Sequence, residues 1–366
     1  MKNLYALVIG ISISLAGTSQ SCLPEGIAFT TQAQVDSFQI DYPNCTEIAG
    51  DVRIQGSDIT NLNGLSVLTS IGGSLSIRYN DLLSNLTGLD NLISVNGWLT
   101  VYHNDSLVNF SGLNQLDSIG GQLSISFNAG LTSIKGLEGL TYIGSSLVIR
   151  YNDNLNNLEG LDKLTYIRLG LFIEHNPNLT NLSNLINLNT VKHAVWIENN
   201  DILESLSGLD SLDYSVFDSL YICNNTTLSE CHIQSVCDYL SHFAYFTVIN
   251  NNAVGCNSIP EVKEACWAYM DDLQFGGHMT RVEIYPNPST GLIYIDVHGN
   301  SSRSQSSRVP GSQFQMSMFD FQGRQIIRQQ ITEEHTMVDI SGLAKGVYFV
   351  KMVCDEGMSV GKFVKE

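Results

Sequence analysis

Between residues 50 and 251 the apolar positions switch regularly between two spacings. The pairs Val52/Ile54, Leu75/Ile77, Leu99/Val101, Leu123/Ile125, Leu147/Ile149, Leu171/Ile173, Val195/Ile197, Leu220/Ile222 and Phe246/Val248 are each separated by two, which predicts nine short strands with those side chains inward. Three residues after each pair from Leu75 on comes an asparagine. Asn80, Asn104, Asn128, Asn152, Asn176 and Asn200 are spaced by 24, and Asn225 and Asn251 continue the series with one and two extra residues. After each asparagine the apolar spacing becomes three, as in Leu83, Leu86, Leu89, Leu92 and Val95, or Leu155, Leu158, Leu161, Leu164 and Ile167. A strand followed by a tight winding with every third residue inward describes one coil of a leucine-rich parallel β-solenoid of about 24 residues per coil.

In such a stack equivalent residues lie about 4.8 Å apart. The asparagines should therefore form an internal ladder that satisfies backbone groups left over by the turn. Gly88, Gly112, Gly136, Gly160 and Gly208 mark a turn that favours a residue without Cβ. A single coil cannot bury its own apolar face, so the ends need caps. Thr31 to Gln34 is a capping-box pattern before Val35, Phe38 and Tyr42 at helical spacing. After the repeats, Ser229 is expected to open a helix carrying Ile233, Val236 and Leu240. Ser258 and Glu261 should open another before Val262 and Cys266.

Beyond Val282 the pattern changes to short alternating strands, with Ile293 and Ile295 or Met316 and Met318, separated by Pro286-Asn287-Pro288, Gly291, Gly323, Gly342 and Gly346. This predicts a small antiparallel Ig-like β-sandwich. Residues 301–312 read as a polar loop and 271–281 as a linker.

The N-terminus changes the picture of where these domains work. Lys2, the uncharged apolar run Leu4–Ala16 and the small residues up to Ser21 read as an export signal over residues 1–21, too short to span a bilayer. No other run reaches transmembrane length, so no transmembrane segment is expected in the mature protein. An exported chain can oxidise its cysteines. Cys22 and Cys45 flank the entry to the repeats and are expected to pair. Cys231, Cys237, Cys256 and Cys266 cluster after the repeats, with the pairing open, and Cys223 and Cys354 are left without an assigned partner.

The formal net charge is -18. Residues 282–366 hold 9 acidic and 8 basic side chains, so almost the whole excess lies before them. Such a surface repels phosphate backbones and excludes nucleic acid as a partner.

The entry cysteines, the coil "LTSIGGSLSIRYN" and the exit "GCNSIPEVKEAC" resemble bacterial receptor L-domain-like leucine-rich proteins over residues 22–270. The resemblance implies a right-handed parallel stack like the ligand-binding L domains of growth-factor receptors, and no particular ligand. The segments "YPNPSTG", "DFQGRQI", "DISGLAKGVYFVKM" and "GKFVKE" resemble the C-terminal sorting domain of type IX secretion cargo over residues 282–366. Pro286, Asn287, Pro288 and Gly291 match the first of its motifs, Gly342, Gly346 and Tyr348 the second, and Lys362 and Lys365 lie in the basic tail. That resemblance implies a Gram-negative bacterium of the Bacteroidetes type, passage through the type IX secretion machinery, and removal of the domain by a sortase-like peptidase. The mature protein would then be extracellular or on the outer-membrane surface.

No H-E-x-x-H, G-x-S-x-G, P-loop or CxxC pattern occurs, so neither catalysis nor a metal or other cofactor is expected. His103 and His175 share a repeat column but lie three coils apart, about 14 Å at rung spacing and too far for joint metal ligation. Two outward columns carry aromatic residues. Tyr79, His103, Phe127, Tyr151 and His175 precede the ladder asparagines, and Phe172, Trp196 and Tyr221 lie between the inward pairs. Exposed rings on a rigid sheet suggest a surface that binds a glycan or a protein, although rings also favour strands and stack on one another. The expected function is non-catalytic binding or adhesion. The alternatives are a structural envelope or matrix component, or a polysaccharide-active β-helix enzyme using Glu174 and Glu198.

Overall fold

The computed structural model describes residues 20–242, 246–272, 280–299, 314–331, 335–354 and 357–366. The polar loop and the expected export signal lie outside them, apart from Gln20 and Ser21 at the end of that signal. The chain divides into two compact units, Met1–Phe172 and Ile173–Glu366.

In the first unit the expected coils are present. The strands Ile27–Phe29, Val52–Ile54, Leu75–Arg78, Leu99–Tyr102, Leu123–Ser126 and Leu147–Arg150 pair in parallel, with Leu75, Leu99, Leu123 and Leu147 in one register row. Their alternate residues are buried, apart from the half-buried Ile27. The windings with period three are turns in which an N–H reaches back three residues, as from Leu89 to Leu86 and from Leu92 to Leu89. The first coil, with Ile27–Phe29, precedes the first one expected. A second parallel sheet of two- to four-residue strands was also not expected: Gln20–Cys22, Cys45–Ile48, Ser70–Ile71, Ser94–Val95, Ser118–Ile119, Tyr142–Ile143 and Tyr166–Ile167. Each two-residue strand has only one fully inward residue, such as Ile71 or Val95, and a single position gives no alternation to read.

The Gly turn is enforced twice over. Gly112 has φ +113°, and a Cβ there would lie 2.1 Å from the Leu86 carbonyl oxygen of the preceding coil. Its N–H is taken by Asn114 Oδ1, as Gly88 N–H is by Asp90 and Gly136 N–H by Glu138.

The entry is closed as expected. Helix α1, Gln32–Asp41, is capped by the Thr31 hydroxyl, which accepts from Gln34 N–H, and buries Val35 and Phe38. Gln34 returns its amide oxygen to Thr30 N–H at 2.6 Å, so the capping box closes one residue earlier than the sequence pattern suggests. Cys22 and Cys45 form a disulfide.

The second unit holds the later coils, with strands Ala194–Glu198, Ser219–Cys223 and Thr247–Asn250 in parallel. Here one expectation is corrected. Leu220 pairs with Thr247 and Ile222 with Ile249, so the last strand is shifted by one. Phe246 and Val248, expected inward, are 71% and 39% exposed. A one-residue slip exchanges the two faces of a strand. The last ladder position accordingly belongs to Asn252, which accepts from Asn225 N–H at 3.0 Å, and not to Asn251. Helix α2 runs over Gln234–His242, later than Ser229, because Ser205 and Glu230 first form an isolated bridge. Helix α3, Ile259–Asp272, starts where Ser258 and Glu261 place it: Ser258 Oγ accepts from Glu261 N–H and the Glu261 carboxylate accepts from Gly255 and Asn257. Disulfides join Cys231 to Cys256 and Cys237 to Cys266, which ties α2 to α3.

The C-terminal part of this unit is an antiparallel two-sheet domain. One sheet holds Thr280–Tyr285, Leu292–Gly299 and His335–Asp339. The other holds Gln325–Ile331, Phe314–Asp320, Gly346–Cys354 and Gly357–Lys365. Ile293, Ile295, Met316, Met318, Tyr348, Val350, Met352 and Phe363 fill the space between them. Among the described residues no helix is long and apolar enough to cross a membrane.

Candidate functional site: a ring stack on the strand face

The asparagine ladder sets the geometry of the outer face. Asn128 is fully buried; its Oδ1 accepts from Asn104 N–H at 3.0 Å, and its Nδ2 donates to Val101 O and Ser126 O at 3.1 Å each. Asn80, Asn104 and Asn152 in the first unit, and Asn176, Asn200 and Asn225 in the second, are buried in equivalent places. To aim each amide inward, the preceding residue must turn the strand sharply. Tyr79, His103, Phe127, Tyr151 and His175 all have φ between +50° and +58°. Asn199, Asn224 and Asn251 occupy the same conformation in the last coils.

This left-handed conformation costs a side chain with a Cβ roughly 1–2 kcal/mol, and asparagine tolerates it best. Rings held there in successive coils are projected outward, one above the next. In the first unit Tyr79 stacks on His103 with centroids 5.4 Å apart, His103 on Phe127 at 5.1 Å and Phe127 on Tyr151 at 4.5 Å, all within 19° of parallel. Stacking of this kind returns about 0.5–1.5 kcal/mol per pair, the same order as the strain.

Tyr102, which the sequence reading did not single out, meets Tyr79, His103 and Phe127 edge-on. It occupies the same outward column as Arg78 and Arg150, and that shared repeat column was the available signal. Phe172 is half-buried.

In the second unit Trp196 and Tyr221 stack at 3.8 Å. Trp196 Nε1 donates to Glu198 Oε2, and Asn224 Nδ2 donates to Glu198 Oε1. Contact with Cys223 and partial desolvation push the Tyr221 hydroxyl up to about 12. His175 Nε2 lies 3.2 Å from Asn199 Nδ2. Six of the sequence-predicted residues are thus gathered in two stacks, Tyr79–His103–Phe127–Tyr151 and Trp196–Tyr221. Among the described residues no group of three His, Cys, Asp or Glu side chains could hold a metal ion.

The sorting motifs, far apart in sequence, converge in the C-terminal domain. Asn287, between Pro286 and Pro288, donates through Nδ2 to Lys362 O and accepts from Val364 N–H at 2.8 Å. Ser289 N–H donates to Val364 O, Ile340 N–H to Gly291 O, and Tyr348 OH to Ala344 O. Lys365, in the basic tail, is 7% exposed and donates to Thr290 O and Glu366 O. Gly342 and Gly346 flank the turn that leads into the Tyr348 strand.

Two family models match the chain: a receptor L domain over residues 44–131 and a secretion system C-terminal sorting domain over residues 283–366. No curated protein matches it. The first match covers coils that carry Tyr79, His103 and Phe127, and the second covers the whole convergent motif set. The chain thus carries a receptor L domain over residues 44–131 and a secretion system C-terminal sorting domain over residues 283–366, and the sorting domain marks it as a secreted or cell-surface protein of the Bacteroidetes type.

Proposed function

We propose that the protein is a non-catalytic surface binding or adhesion protein whose outer strand face takes an extracellular glycan or protein. The observation that carries this reading is the ring stack in the left-handed position. Asn199, Asn224 and Asn251 demonstrate that the fold accepts the less strained residue there, yet Tyr79, His103, Phe127 and Tyr151 are kept in consecutive coils. Strain held at one place on a regular scaffold supports a functional reading of that place. On this reading the sorting domain hands the protein to the secretion machinery and is then removed by a sortase-like peptidase. Glu198 has both carboxylate oxygens engaged by Trp196 and Asn224, which favours a positioning role for it over acid–base chemistry.

The test is capture on a combined glycan and extracellular-protein array by the purified chain and by a Tyr79→Ala/Phe127→Ala/Tyr151→Ala variant. Loss of capture in the variant supports the reading, and unchanged capture removes this face from it. The second reading, a structural spacer in the cell envelope, draws on the fact that the rings cover one another. It expects no saturable ligand and an altered surface layer on deletion of the gene.

A further inference from the structure

The ring stack conceals what a neutral sugar would use. Sugar C–H groups approach the face of a ring, where the quadrupole is negative, whereas the ring edge is positive. In the stack Tyr79–His103–Phe127–Tyr151 each inner face is covered by the next ring at 4.5–5.4 Å. The surface left outward is made of ring edges, phenol hydroxyls and an imidazole.

The charge around it has the same sign. Residues 22–172 contain 14 acidic and six basic side chains. Yet the outward positions of the strands Val52–Ile54 to Leu147–Arg150 carry Arg53, Arg78 and Arg150 and no Asp or Glu. Two of the nearby carboxylates are turned to backbone instead: Asp51 Oδ1 accepts from Ser74 N–H at 2.7 Å and Asp105 Oδ1 from Ala129 N–H at 3.5 Å. Within an acidic solenoid, the strand positions of this face thus present three guanidinium groups and positive ring edges and no carboxylate, while the exposed Asp81, Asp105 and Asp153 lie along its edge, two residues after Tyr79, His103 and Tyr151.

Its composition also narrows the class of partner. Tyrosine and arginine set among small Ser76, Thr100 and Ser124 on a flat sheet match the anchors and adaptable contacts of protein-recognition surfaces. Small-molecule sites are concave instead.

Resting on the binding reading above, we infer that the strand face of the first unit docks an acidic polypeptide surface of a partner protein. Carboxylates of the partner would meet Arg53, Arg78 and Arg150, and the phenol groups of Tyr79 and Tyr151 would donate to them.

The test uses the full chain with three probes: poly-L-glutamate, the polyuronate alginate and a neutral glucan, each at 50 and 500 mM NaCl. The expected result is capture of poly-L-glutamate at low salt, more tightly than alginate, and weakened at least ten-fold by 500 mM NaCl. An Arg78→Glu/Arg150→Glu variant should weaken it at least ten-fold as well, with an unchanged circular dichroism spectrum. Arg150 is exposed and half-buried Arg78 donates to Gln55 Oε1, and the spectrum checks that the fold survives their replacement. Three results overturn the inference: poly-L-glutamate not captured, its capture indifferent to the charge reversal, or alginate bound at least as tightly. Capture of the neutral glucan that is lost in the ring-to-alanine variant but kept in the charge-reversed one also overturns it, and leaves the broader binding reading standing. Capture of every probe unchanged by the ring variant overturns both.

Discussion

Replacing Asn128 by alanine tests the element on which the coils depend. The amide of Asn128 is fully buried and makes five hydrogen bonds. Its Oδ1 is the acceptor for Asn104 N–H, so truncation orphans that buried donor at about 1–3 kcal/mol. The Nδ2 bonds to Val101 O, Ser126 O and Asn152 Oδ1 are lost as well. Ser126 O keeps His103 N–H and Asn152 Oδ1 keeps Asn128 N–H, so these losses fall nearer the net value of about 0.5–1.5 kcal/mol per bond. Taken together, the substitution should destabilise the protein by about 3–5 kcal/mol. Asn128→Asp keeps the shape but aims a carboxylate at two carbonyls. Burial raises its folded-state pKa, so its penalty is smallest below about pH 4, where both states are protonated, and grows as the pH rises. Asn85→Ala is the control: that half-buried side chain accepts from Thr87 N–H and donates to Ser84 Oγ, and its loss should cost about 1 kcal/mol. Denaturant midpoints followed by circular dichroism, with hydrogen exchange of the Asn104 amide, measure all three. An Asn128→Ala midpoint equal to that of Asn85→Ala, or an unchanged Asn104 exchange rate, would refute the ladder as the source of coil stability.

Gly112→Ala should destabilise the protein by more than about 2 kcal/mol, since φ +113° and a Cβ 2.1 Å from Leu86 O leave the methyl no place; a denaturant midpoint within error of wild type would contradict this. Cys223 is buried and its thiol is pushed up by that burial. Iodoacetamide at pH 8 should therefore leave it unmodified until denaturant is added, as read by peptide mass spectrometry. Asn287→Ala removes both side-chain bonds that hold the Pro286–Pro288 turn to the final strand. It should cost the sorting domain about 1–2 kcal/mol and lower the amount of protein reaching the culture medium or cell surface; wild-type secretion levels would argue against that clamp.

The repeat was legible from the sequence because its causes are local and periodic. An apolar pair two apart, an asparagine three later and leucines every third residue each report on a single coil. Repetition at 24 residues then fixes which residues become vertical neighbours. The same regularity made the ring columns visible, and the motif spacing made the sorting domain recognisable. The short-strand sheet stayed hidden because one inward residue per strand leaves no period. The last coil was misread by one residue because its two extra residues shift the register, and only pairing with Leu220 and Ile222 decides which face Thr247 and Ile249 take. The pairing of Cys231 with Cys256 and Cys237 with Cys266 follows from how α2 and α3 pack against the stack, which no spacing encodes. The left-handed backbone at Tyr79, His103, Phe127 and Tyr151 is likewise a tertiary result. A residue there is strained because its neighbour's amide must reach the coils on either side, and that demand exists only once the coils are stacked.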